Sequence, residues 1–183
     1  MLNGICVLPV IPMRKIKSDM SEMTNQILFG ENFKILKQAD KWSYVELTHD
    51  KYRGWVDNKQ YTQIKKLDNI FYVSNKKYCN IRINNQKQPL LMGSLIPKNK
   101  QLKKELSIDM NLTFCTMTFN SWFVKIAKKY LNTPYLWGGR TPLGIDCSGY
   151  TQMVYRFFKT PLPRDAHQQA KIGQKITSLK DVK

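Results

Sequence analysis

Tyr135-Leu136-Trp137-Gly138-Gly139-Arg140-Thr141-Pro142-Leu143-Gly144-Ile145-Asp146-Cys147-Ser148-Gly149-Tyr150 is the stretch around which the chain is organised. Gly138, Gly139, Pro142 and Gly144 break its first half into a loop that neither a helix nor a strand tolerates. Behind it, Tyr150, Met153, Val154, Phe157 and Phe158 recur at the spacing of one helix face. The pattern predicts that Cys147 sits in the first turn of an amphipathic helix, presented by a glycine-rich loop.

That position favours ionisation. The unpaired N–H groups and the dipole at a helix N-terminus stabilise negative charge, and the thiolate is the nucleophilic form of cysteine. A buried core cysteine is the plain alternative, and spacing alone does not decide against it. The residue string does. Tyr135-Leu136-Trp137-Gly138-Gly139, Asp146-Cys147-Ser148-Gly149, and Leu162-Pro163-Arg164-Asp165 with Gln168-Gln169 resemble, in order and spacing, the NlpC/P60 family of papain-like cysteine peptidases, which cut peptidoglycan peptides. The front of the chain resembles a subgroup bearing SH3 domains, the γ-D-glutamyl-diamino-acid endopeptidases, also called dipeptidyl-peptidase VI-like. The resemblance is loosest between about Asp68 and Phe119.

The segments ahead of the loop read independently as short strands and turns. Gln26–Phe29, Phe33–Lys37, Trp42–Leu47 and Tyr52–Val56 are apolar or alternating runs separated by turn residues, as in a small barrel. The pattern recurs more weakly in Ile70–Val73, Cys79–Ile83, Pro89–Met92 and Met117–Phe119, with Lys98–Lys104 as a solvated hairpin or loop. From Asn120 the period becomes helical, with Trp122, Phe123, Ile126, Ala127, Tyr130 and Leu131 on one face. The expected fold class is α+β. Two N-terminal SH3-like β-barrels (1–66 and 67–119) precede the N-terminal part of a papain-like catalytic domain (120–183).

Composition bounds the function. A formal charge of +17 over 183 residues is compatible with a polyanionic partner, but the lysines are scattered and no helix carries a basic stripe with interleaved aromatics. Nucleic-acid binding is therefore not expected, and a basic surface suits acidic stem peptides. No apolar run approaches the length of a membrane span. The N-terminus is no good signal peptide, so a cytoplasmic protein is expected. Cys6, Cys79, Cys115 and Cys147 are widely spaced with no Cys-x-x-Cys, which leaves zinc and redox motifs unsupported; three buried thiols and one reactive one are expected. No metal or other cofactor is implied.

The resemblance assigns roles residue by residue. Cys147 matches the nucleophile and Tyr135 a tyrosine that stabilises the oxyanion, with a packing aromatic as the bland alternative. Asp146 and Ser148 match residues that bind the free α-amine and γ-glutamyl part of the substrate; the plain alternative is helix capping, and both roles can hold together. Arg164 and Asp165 match a motif lining the cleft, with a surface salt bridge as the alternative. Ala166 stands where the family often has serine. The subgroup's first barrel contributes an acidic residue and a tyrosine, for which Glu31 and Tyr61 are the candidates. The partner implied is a peptidoglycan stem peptide.

The general base is the open half. Only His49 and His167 are present; His49 reads as an exposed turn residue, and His167 does not match the family's base. That base follows a Gly-Asp-Leu segment on a later strand, so the resemblance implies a C-terminally truncated member whose cysteine helix would leave Tyr150, Met153, Val154, Phe157 and Phe158 uncovered. The competing reading is a non-catalytic muropeptide-binding SH3 protein or an inactive remnant.

Overall fold

A computed structural model describes residues 2–66, 71–109, 119–178 and 180. Seven antiparallel strands form the first unit: β1 (Leu2–Ile5), β2 (Val10–Arg14), β3 (Met23–Leu28), β4 (Asn32–Gln38), β5 (Trp42–Leu47), β6 (Arg53–Asp57) and β7 (Thr62–Ile64). Their order is β3-β2-β6-β5-β4-β1-β7. In β5 the period-2 pattern is complete: Ser43, Val45 and Leu47 point inward while Trp42, Tyr44 and Glu46 are half-buried. The inward residues Ile11, Met13, Ile27, Phe33, Ile35, Val45, Leu47 and Val56 meet in one cluster with Cys6.

The second unit is smaller. β8 (Phe71–Val73) pairs with β11 (Leu95–Pro97), while β9 (Tyr78–Ile83) lies between β10 (Gln86–Leu91) and β12 (Ile108–Asp109). Of the two SH3-like barrels expected, neither closes among the described residues. In the first sheet β3 and β7 end the order without pairing to each other. Beside β3 lies the glycine loop instead: Gly138 packs on the Met23 carbonyl, and Arg140 N donates to Gln26 Oε1 at 2.8 Å. In the second unit the strands divide between two small sheets.

Within Lys98–Lys104, expected as hairpin or loop, a helix begins, α1 (Lys100–Glu105). Asn99 caps it, its Oδ1 accepting from Gln101 N at 2.8 Å and Leu102 N at 3.3 Å. Leu102 and Leu106, four apart, bury against Ile5. The expected strand Met117–Phe119 falls partly on residues 117 and 118, outside those described; Phe119 opens α2 (Phe119–Lys128). A two-strand hairpin follows, β13 (Arg140–Thr141) and β14 (Gly144–Ile145), then α3 (Cys147–Arg156) and α4 (Ala166–Gln169). Among the described residues no helix is long and apolar enough to cross a membrane.

Three successive residues at and just past the end of β3 lock these pieces together. Ile27 points into the first-sheet core. Leu28 enters a cluster with Met92, Ile126, Tyr130, Ile145, Met153 and Val154. Phe29 enters a third with Ile81, Leu90 and Ile96. The cysteine helix is thus better covered than expected: Met153 and Val154 are buried and Phe157 and Phe158 half-buried, against α2 and the strand units, while Tyr150 is left exposed. Burial of such a side chain contributes roughly 1.5–3 kcal/mol.

Candidate active site

The loop before Cys147 is built by backbone bonds. Ile145 N donates to Pro134 O at 3.1 Å, Leu136 N to Ile145 O at 3.2 Å, and Asp146 N to Gly139 O at 3.2 Å. Gly138 adopts φ +76°, and a Cβ there would run into the Met23 carbonyl. This close approach needs glycine twice over.

Asp146 is the N-cap of α3, and its buried carboxylate is saturated. Oδ1 accepts from Gly149 N at 2.6 Å and Ser148 Oγ at 3.2 Å; Oδ2 accepts from Gly138 N at 2.9 Å. Arg164 adds Nη2–Oδ2 at 2.5 Å and Nη1–Oδ1 at 3.1 Å. Burial opposes ionisation, but the Arg164 bond and the two backbone N–H groups overcome it and hold this carboxyl below its ordinary range. Arg164 also donates from Nη1 to Ser148 Oγ at 2.8 Å and from Nε to Asn25 Oδ1 on β3 at 2.8 Å. The strand, the loop, the helix start and the 162–165 segment are therefore one hydrogen-bonded assembly. Cys147 follows directly, at the N-terminus of the ten-residue α3, with an exposed thiol.

A second charged hub braces the same loop from behind. Glu31 is fully buried; Oε2 accepts from Arg140 Nη1 at 3.0 Å and Leu28 N at 2.8 Å, and Oε1 from Arg140 Nη2 at 3.0 Å. Arg156, in the last turn of α3, pairs with the same Oε1. His49 Nε2 lies 3.7 Å from Glu31 Oε1 and 3.2 Å from Asp50 Oδ2. Burial works against the Glu31 charge, but Arg140, then Arg156 and His49, hold it well below the usual range; His49 and Arg140 do the same for Asp50. Asp50 Oδ2 also accepts from Gln152 Nε2 at 2.9 Å.

Residues 132–183 match the NlpC/P60 family, and residues 14–60 match the bacterial dipeptidyl-peptidase SH3 domain. The chain carries an NlpC/P60 domain behind a bacterial dipeptidyl-peptidase SH3 domain. It is 22% identical to a γ-D-glutamyl-L-lysine dipeptidyl-peptidase of Bacillus cereus, over 85% of this chain and 56% of that protein. It is 46% identical to dipeptidyl-peptidase 6 of Lysinibacillus sphaericus, over 30% of this chain and 20% of that one. It therefore spans little more than half of the first relative's length and a smaller part of the second's. The crystal structure of an NlpC/P60 family protein from Bacillus cereus superposes with a TM-score of 0.76 at 14% identity, covering 99% of this chain and 80% of that one, a likeness of fold.

Within the NlpC/P60 segment the structure brings Cys147, Asp146, Ser148 and Arg164 together. Tyr135 joins them through its backbone, bridged to Ile145, with its side chain exposed. Arg164 makes no surface salt bridge with Asp165; it is buried on Asp146. Asp165 occupies the N-cap of α4, and its charge faces Tyr52, whose hydroxyl is pushed up first by burial and then by that carboxylate. Glu31 and Tyr61 are not at the cleft. Glu31 has no open surface and its oxygens are filled, so it is a brace, not an ammonium ligand. Tyr61 stacks edge-on to Phe33, with its hydroxyl 2.9 Å from Ser43 Oγ.

His49 is not an exposed turn residue: Asp50, Glu31 and Arg140 surround it. His167 is exposed on α4, and among the described residues neither histidine hydrogen-bonds to Cys147. Cys6 is buried and Cys79 only partly so, while Cys115 lies outside the described residues. Sequence reasoning missed Glu22, whose Oε1 accepts from Trp137 Nε1 at 2.9 Å, as well as Tyr52, Asn25, Arg140 and Arg156. Arg140 carried a signal: a cation set directly behind two glycines in a tight loop. Among the described residues no group of three or more His, Cys, Asp or Glu side chains is placed to hold a metal.

Proposed function

We propose that this chain is the front portion of a cysteine peptidase that hydrolyses the γ-D-glutamyl–diamino acid bond of peptidoglycan-derived peptides. The observation that carries the reading is the exposed Cys147 thiol at the start of α3, held by the saturated Asp146–Arg164–Asn25 assembly. The Cys147 thiolate attacks the amide carbon, the helix N-terminus and the Tyr135 hydroxyl stabilise the oxyanion, and the diamino acid leaves as an amine once protonated. Water then releases the thioester. The histidine that carries the proton lies, in this reading, outside these 183 residues, because His49 is committed to the buried hub.

Two SH3-like units, 1–66 and 67–119, flank the catalytic portion 120–183 in this proposal. Ser148 and the Arg164–Asp165 turn line the cleft. Asp146 orients them, since its own oxygens are taken. Recognition of a free α-ammonium falls to Asp165 at the α4 N-terminus and to Tyr52, which it faces, while Glu22, bonded to Trp137 and Lys15, holds the loop. A blocked amine would leave the Asp165 charge unpaired, which discriminates against stems still joined to sugar.

The test is release of diamino acid from L-Ala-γ-D-Glu-diamino acid tripeptide by the complete gene product. Cys147→Ala is expected to fall to background. Loss of the base alone costs about 10²–10⁴-fold. Turnover that survives Cys147→Ala refutes the nucleophile, and equal rates on sugar-linked stems refute the ammonium part. A complete protein that binds the tripeptide without cutting it establishes the competing reading of a muropeptide-binding SH3 protein.

A further inference from the structure

A cavity of about 610 Å³ opens at the opposite end of α3 from Cys147. Its α3 wall is Gln152 and Arg156, and Arg156 lies nine residues, about 13 Å of helix rise, beyond the cysteine. The chain following the helix, Lys159 to Leu162, forms one rim; Phe71, Val73 and Leu95 of the second unit form another; the first sheet supplies a third. The volume is that of a small-molecule site, and Cys147 takes no part in it.

The charges are one-sided. Lys51, Arg140, Arg156 and Lys159 line the cavity, and among the described residues none that lines it is acidic. The nearby carboxylates are already consumed: Glu31 by Arg140 and Arg156, Asp50 by His49 and Gln152. Arg156 gives Glu31 only its Nη1; its Nε and Nη2, the fork that matches a carboxylate, bond no protein group among the described residues. Lys159 is exposed, and its ammonium bonds no protein group among the described residues. Phe71, Val73 and Leu95 on the rim of the second unit, with Pro161 and Leu162 beside Lys159, supply the cavity's apolar lining.

We propose that this cavity is a second binding site, for a small organic carboxylate with an apolar body. The carboxylate takes the free fork of Arg156 and the ammonium of Lys159, and the apolar body lies on Phe71, Val73 and Leu162. The site is independent of the thiol chemistry, so it stands or falls separately from the proposed peptidase activity.

The probes are 4-phenylbutyrate, its neutral amide and inorganic phosphate, titrated into the 183-residue chain by calorimetry and by protein NMR. The acid is expected to bind saturably, and the amide and phosphate each about tenfold or more weakly, since each lacks one half of the match. Lys159→Gln is expected to weaken the acid several-fold, and Val73→Trp, which fills the cavity, to abolish binding. Thr160→Trp, at an exposed rim position, serves if Val73→Trp does not fold. Alkylation of Cys147 with iodoacetamide is expected to leave binding unchanged. Absence of saturable binding by the acid below about 10 mM, far weaker than a working site, overturns the proposal. So does equal affinity for the amide or phosphate, persistence in both Lys159→Gln and the filled variant, or loss on alkylation.

Discussion

Replacing Glu31 by glutamine is expected to loosen the joint between the first sheet and the cysteine loop. The change keeps the volume of a side chain with no exposed surface and removes only the charge. Arg140, itself fully buried, would then face an amide where it had two 3.0 Å charge-assisted bonds, and Arg156 would lose its carboxylate partner. Breaking a buried pair from one side costs about 3–5 kcal/mol, a large part of the roughly 5–15 kcal/mol that holds a native domain. For a chain of this size that is a fall in Tm of about 6–20 °C. The assay is urea and thermal unfolding followed by circular dichroism and tryptophan fluorescence. Glu46→Gln is the control, because its partner Arg53 lies more than half exposed and such a pair is worth under about 1 kcal/mol. A Glu31→Gln protein within about 1 kcal/mol of the parent, or no less stable than Glu46→Gln, would refute the bracing role.

The acid limb of stability should report the same hub. Glu31, Asp50 and Asp146 all have carboxyls held below their ordinary values, so their stabilisation is complete above the unfolded values of about 4 and is lost as pH falls through the folded ones. Melting temperature is expected to decline below about pH 4–5, less steeply in Glu31→Gln; an unchanged slope in that variant contradicts the assignment. Gly138→Ala should cost more than Gly173→Ala. Both have positive φ, worth about 1–3 kcal/mol of strain, but only at Gly138 does the new methyl meet the Met23 carbonyl, while nothing lies within 4 Å at Gly173. Iodoacetamide should label Cys147 first, Cys79 more slowly, and Cys6 only on unfolding, because Cys6 is buried and burial pushes its thiol up. Mass spectrometry of timed samples checks the order, and early labelling of Cys6 would overturn the core assignment.

How much was legible follows from the range of the interactions. The strands β3 to β6 were readable because alternation and turn residues are local, and the helix at Cys147 because its glycine loop, Asp146 cap and apolar face are contiguous. The α1 helix is hard to read because lysines dominate the run, although Asn99 and the Leu102–Leu106 pair carry the signal. Glu31 is hard to place for a different reason. An acidic residue in a turn reads alike whether it faces water or two guanidiniums, and its partners stand more than a hundred positions away, at Arg140 and Arg156.

The sequence by itself determined where Cys147 stands and what shapes its loop, since helix start, glycine punctuation and capping all lie within sixteen residues. Only the tertiary structure decided which charges face a ligand and which hold the parts together. Ion pairing depends on distance in space and on loss of water, and neither is written in the order of residues: Asp146 and Glu31 became braces because folding brought Arg164, Arg140 and Arg156 to them out of solvent.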